Sequence, residues 1–226
     1  MYRFSGFILS VLSVLFFIAC GDDDSDSTSS SSSASTNGSI ATTVTAARTL
    51  ISNGTTTLNH RVTGLVIGLG GSRGKAFYLY DGTYALQFYP TEAMTPPVAV
   101  GQNVSVTLTA GQVFESAIQV IGVKDWVVNS TGNAVAYSGS PAISIANQGM
   151  MITRTLAVGT EPISAHRSND WRIELEETYF RNNTGDHSGT AQGITLEAGK
   201  TYTISGVVDA YGDKKAVAIF QASLVN

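Results

Sequence analysis

GLGGSRGKAFYLYDG, residues 68–82, decides how this chain is read. Its glycines and the Gly74-Lys75 pair are the ingredients of a phosphate-cradling loop, which leads from a strand into a helix. The strict spacing of such a loop requires Gly at position 69 and Ser or Thr at 76, where the chain has Leu69 and Ala76. A dinucleotide fingerprint fails as well: with Gly68 and Gly70 as its first two glycines, Arg73 stands where the third belongs. KAFYLYDG (75–82) then alternates Phe77 and Leu79 with Tyr78 and Tyr80, which is the period of a strand. The glycines therefore read as a hairpin connection, where they supply positive φ angles.

The same period runs through the flanking sequence. HRVTGLVIGL (60–69) is a β-branched strand with Gly64 at a bend or bulge. YALQFY (84–89) alternates Leu86 and Phe88 with Ala85, Gln87 and Tyr89. In VAVGQNVSVTLTAG (98–111), Val104, Val106 and Leu108 share a face, and AIQVIGVKDWVV (117–128) closes the set. TVTAARTLISNGT (43–55) predicts one short helix ending at Asn53-Gly54. Five strands and no long helix predict an all-β fold, a small barrel or a sandwich.

Taken in order, RVTGLVIGL, FYLYDGTYALQFY, VAVGQNVSVTLTAG and AIQVIGV resemble the OB-fold modules of bacterial extracellular nucleases and surface lipoproteins. An F-Y-x-x-D-G-T strand pair and a V-G-x-x-V-x-V-x-G strand carry the likeness over residues 44–130, with Leu108 where that family often has glycine. EAGKTYTISGVVDAYGDKKAVAI (197–219) echoes residues 99–120, matching Gly199 to Gly101, Tyr202 to Val104 and Ile204 to Val106, and it keeps the glycine, at Gly206. Upstream, DWRIELEETYF (170–180) reads as one strand, and NNTGDHSGTAQG (182–193) as a long loop. The resemblance implies two OB-like barrels in tandem, over 41–140 and a less regular 141–226; one larger β-sandwich is the alternative.

The start of the chain speaks to compartment. Arg3 precedes an apolar run, Phe7–Ala19, that suits a signal peptide and falls short of the about 20 residues a membrane span needs. Phe17-Ile18-Ala19-Cys20 resembles a bacterial lipobox, with Phe17 where leucine is usual. That resemblance implies cleavage after residue 19 and acylation of Cys20 with diacylglycerol and a fatty acid such as palmitate; the alternative is a plain secretory signal. Cys20 is the only cysteine, which excludes an internal disulfide and a cysteine metal cluster. Residues 20–40, with Asp22, Asp23, Asp24 and Asp26 ahead of a serine run, have the composition of a flexible tether. The expected location is the bacterial outer membrane, on its periplasmic side or at the cell surface.

Of 13 basic and 17 acidic residues, Arg3 falls in the leader and four aspartates in the tether, leaving 12 against 13 in the folded part. Such a near-neutral body lacks the basic footprint of a strong nucleic-acid binder. His60, His166 and His187 are the histidines, and only GDHSG (185–189) joins an acid, a histidine and a hydroxyl; it reads as a polar hairpin tip. The acidic run Glu174, Glu176 and Glu177 has the residue types of paired acid/base carboxylates, but Glu174 and Glu176 share one strand face and read as solvated, and Asp81 reads as a turn residue. The expectation is a protein that is not an enzyme, with no cofactor and no metal. Its candidate ligand face is aromatic: Tyr78, Tyr80, Gln87 and Tyr89 point outward together, with Arg73 and Lys75 in the adjoining turn. In OB folds this face of the second and third strands binds oligonucleotides or oligosaccharides. A glycan or a peptide is the expected ligand, and the membrane, through Cys20, the expected partner. Two other readings stand beside it: an accessory or degenerate domain of a secreted nuclease or glycan hydrolase, and a structural or host-contact surface lipoprotein.

Overall fold

The computed structural model describes residues 42–70, 75–160, 164–166, 170–175, 177–182, 194 and 196–226. Cys20, the tether, Arg73 and the GDHSG stretch lie outside the described residues. Within them the protein is an all-β body with one α-helix, in two sheets.

Helix α1 (Val44–Ser52) starts where the Thr43 hydroxyl accepts the Ala46 amide at 3.0 Å. It buries Val44, Ala47 and Ile51, spaced by three and four residues, and ends ahead of Gly54 in the left-handed region at φ 92°. Five strands follow: β1 (Thr57–Gly70), β2 (Ala76–Tyr80), β3 (Ala85–Phe88), β4 (Asn103–Phe114) and β5 (Ala117–Ser130). They close a barrel in the order β1-β2-β3-β5-β4. The long β1 pairs with β4 over Thr57–Leu65 and with β2 over Leu65–Gly70, so it turns a corner near Gly64. Glycine is needed there, because a Cβ would lie 2.7 Å from the Tyr80 carbonyl oxygen. The alternating residues Phe77, Leu79, Leu86 and Phe88 enter the barrel core with Val104, Val106 and Leu108, and the Phe77 and Phe88 rings stack at 4.8 Å.

Asp81 locks the helix to the barrel. Its carboxylate accepts the Thr45 amide at 2.7 Å and the Thr45 hydroxyl at 3.0 Å, while also accepting the Thr83 and Tyr84 amides of its own turn. Asp81→Ala is expected to lower stability by about 1–2 kcal/mol, the usual cost of losing such an end-group acceptor, read as the shift in urea midpoint.

The second sheet holds β6 (Met151–Ala157), β7 (Ser164–His166), β8 (Asp170–Leu175), β9 (Thr178–Asn182), β10 (Thr201–Tyr211) and β11 (Lys214–Leu224), in the order β6-β10-β11-β9-β8-β7. A short 3₁₀ turn, Ile145–Asn147, precedes β6. Ile152, Leu156, Phe180, Ile204, Val208, Val217 and Ile219 form its own core. DWRIELEETYF, expected to be one strand, instead folds back on itself as β8 and β9, with Glu177 at φ 60° in the two-residue connection. The matched residues of the two halves have matching roles: Gly101 and Gly199 both take positive φ, and Val104, Val106, Tyr202 and Ile204 are all buried.

Candidate functional site

Strand alternation predicts that Tyr78 and Gln87 leave the barrel, and they do. They do not reach solvent. Tyr78 is 2% exposed and Gln87 6%, because the second sheet lies over this face. Ile67, Tyr78 and Ala85 of the barrel share a buried cluster with Met151, Val207, Ala218 and Phe220, and the Phe220 ring meets Tyr78 edge-on at 5.0 Å. Gly68 is a point of close approach; a Cβ there would lie 2.5 Å from the Phe220 ring. At Tyr78 and Gln87 the expected ligand face is thereby corrected to a packing face. Of the remaining predicted site residues, Tyr80 and Tyr89 are half-buried, the Tyr80 hydroxyl donates to the Gly82 carbonyl, and Lys75 donates to the Thr91 carbonyl at 2.6 Å.

The seam is polar at its centre. Asp209, on β10 and 1% exposed, receives four hydrogen bonds. Its Oδ2 accepts the Tyr78 hydroxyl at 2.8 Å and the Arg181 guanidinium, and its Oδ1 accepts the Gln148 amide at 3.1 Å and the Ala210 backbone N–H at 2.9 Å. Four donors fill the lone-pair sites of a carboxylate, so Asp209 is a clamp and has no acceptor left for a substrate or a metal. Gln148 extends the clamp by accepting the Ile118 amide of β5 at 3.3 Å. Burial works against the charge on Arg181, but Asp209 and then Tyr78 outweigh it and hold the guanidinium more firmly protonated than usual. Arg181 also lies 5.0 Å over the Tyr211 ring. Beside the clamp, Gln119 donates to Gln87 at 2.8 Å and receives from Gln112 at 3.1 Å. A cavity of about 10 Å³, walled in part by Arg48, Gln148 and Asp209, has room for one water.

An open groove of about 530 Å³ lies elsewhere, between the β8–β9 turn, the β10–β11 turn and the 3₁₀ turn. Ser144, Ile145, Glu177, Asp213, Lys214 and Lys215 line it. The Lys214 ammonium pairs with Glu174 and lies 4.7 Å over the Tyr179 ring. The volume is in the range of small-ligand sites, and both charge signs are present. Among the described residues no group of three or more His, Cys, Asp or Glu side chains is placed to hold a metal ion. His60 is on β1 and His166 on β7, in different sheets, while His187 lies outside the described residues.

Asp209, Arg181 and Gln148 were not singled out by sequence reasoning. One signal was available: Asp209 interrupts the apolar run GVVDAY, and a carboxylate inside a buried strand needs a partner. Glu177 is marked only as the end of the acidic run Glu174, Glu176 and Glu177, and Lys215 carries no comparable mark. Compared with known family models and with curated proteins, the chain matches none.

Proposed function

We propose that this chain is a lipid-anchored, non-catalytic binding module of the bacterial envelope, built from two OB-like β modules that follow a serine-rich, acidic segment. The observation that carries the anchor is the apolar run Phe7–Ala19 ending at Ala19-Cys20, followed by a polar segment ahead of the folded body. Metabolic labelling with a palmitate analogue is expected to tag the wild-type chain and leave Cys20→Ala untagged. Label on the alanine variant refutes the anchor.

The tandem OB-like reading is supported by strand pairing. In the barrel, β1 meets β4 with its first part and β2 with its last. In the second sheet β6 meets β10 and β7 meets β8, so β6 and β7 together stand where one bent β1 stands in the barrel. With that substitution both halves run in the same order, and each has one parallel pair in the same place, β3 with β5 and β9 with β11.

Binding, in this reading, is the work of surfaces other than the mutually covered seam. A glycan and oligonucleotide array on the soluble fragment beginning near residue 40 tests it, together with nuclease and glycosidase assays in divalent metal. Salt-insensitive binding without turnover is expected, because the folded part is nearly neutral. Turnover abolished by His187→Ala overturns the non-catalytic reading.

A further inference from the structure

We infer that the groove beside the β8–β9 and β10–β11 turns is a seat for a peptide, specifically for the first turn of a helix. This rests on the binding-module reading and names its ligand class and its place.

The barrel has a helix at the corresponding place. There, α1 fills the end at which the β2–β3 and β4–β5 turns lie. Asp81 of the first turn accepts the amide and hydroxyl of Thr45, in the opening turn of α1, and Ile51 packs on β4, where a Cβ at Gly111 would lie 2.5 Å from it. In the second sheet the corresponding turns are β8–β9 and β10–β11, and the helical piece described ahead of β6 is the three-residue turn Ile145–Asn147, against nine residues in α1. The groove is the space between those same three elements. A partner's helix would take the place that α1 takes in the barrel.

Glu177 supplies a second observation. A two-residue hairpin connection takes positive φ at one or both of its central positions, which favours glycine, asparagine or aspartate there. The β10–β11 connection meets this with Gly212 at φ 60°, whereas the β8–β9 connection holds Glu177 at φ 60°. A glutamate in that conformation costs stability that glycine would spare, and such strain gathers at functional positions. Here the strained residue carries a carboxylate on the wall of the groove.

Among the described residues the Lys215 ammonium and the Glu177 and Asp213 carboxylates have no hydrogen-bond or ion-pair partner, while Lys214 is held by Glu174. A helix N-terminus presents backbone N–H groups without internal acceptors, and acidic side chains are favoured in its first turn. The two groove carboxylates accept the former and Lys215 meets the latter. Ile145, 41% exposed on the wall, offers an apolar contact.

The test uses the full mature chain in detergent and an acetylated dodecapeptide that opens Ser-Pro-Glu-Glu and continues as an amphipathic helix. Titration calorimetry is expected to show binding that weakens roughly tenfold in Lys215→Ala, the equivalent of one charge-assisted hydrogen bond. A peptide opening Ser-Pro-Lys-Lys is expected to bind more weakly to the wild type. Glu177→Gly is expected to raise Tm and to weaken peptide binding, a combination that a merely structural turn does not produce. Absence of peptide binding, binding unchanged in both variants, or a Glu177→Gly Tm that does not rise overturns the inference. Glycan binding that neither variant disturbs also overturns it, while leaving the binding-module reading in place.

Discussion

Asp209→Ala is expected to destabilise the protein by about 3–5 kcal/mol, the cost of removing one partner of a buried ion pair. The Arg181 guanidinium then loses the carboxylate that holds it, and the Tyr78 hydroxyl and Gln148 amide lose their acceptor in the same step. Arg181 is poorly placed to compensate, because its Nε is already buried without a hydrogen-bond partner among the described residues. The urea midpoint is expected to fall steeply. Asp209→Ala combined with Arg181→Leu is expected to recover part of the loss, since the uncompensated cation goes with it; the double-mutant cycle then gives the coupling energy directly. Equal, additive losses from the two single variants would mean that Asp209 and Arg181 do not act as a pair.

Phe220→Ala is expected to cost about 3–5 kcal/mol by the cavity it leaves. The ring is 3% exposed, sits edge-on to Tyr78 and lies 6.2 Å from the Tyr137 ring. It also fills the space over Gly68 that no larger residue leaves open. A loss below about 1 kcal/mol, the range of an exposed substitution, would mean that the second sheet does not rest on the barrel through this ring.

The barrel was legible because its local signals agree. Val104, Val106 and Leu108 alternate with polar residues, Asp81-Gly82 marks a turn, and Asn53-Gly54 marks the end of the helix. Alternation assigns Tyr78 to the face opposite Phe77 and Leu79, and that assignment holds. What alternation cannot state is what covers the opposite face; that depends on β10 and β11, more than a hundred residues along the chain. The β8–β9 hairpin escaped for a different reason. Its connection contains Glu177 where glycine or asparagine would have announced a turn, so two strands read as one. Asp209 was legible in principle as a charge inside GVVDAY, yet its partners come from β2, β9 and the segment before β6, and no short-range pattern joins them.

The second sheet closes the barrel's β2–β3 face, with Tyr78 as its buried anchor. Hydroxyl-radical footprinting read residue by residue tests it most directly. Tyr78 in the native protein is expected to be modified far more slowly than the half-buried Tyr80 and Tyr89, and to become reactive only when urea unfolds the whole body. Native-state modification of Tyr78 at the rate of Tyr80 would contradict it, and would return the aromatic face to solvent as a ligand surface.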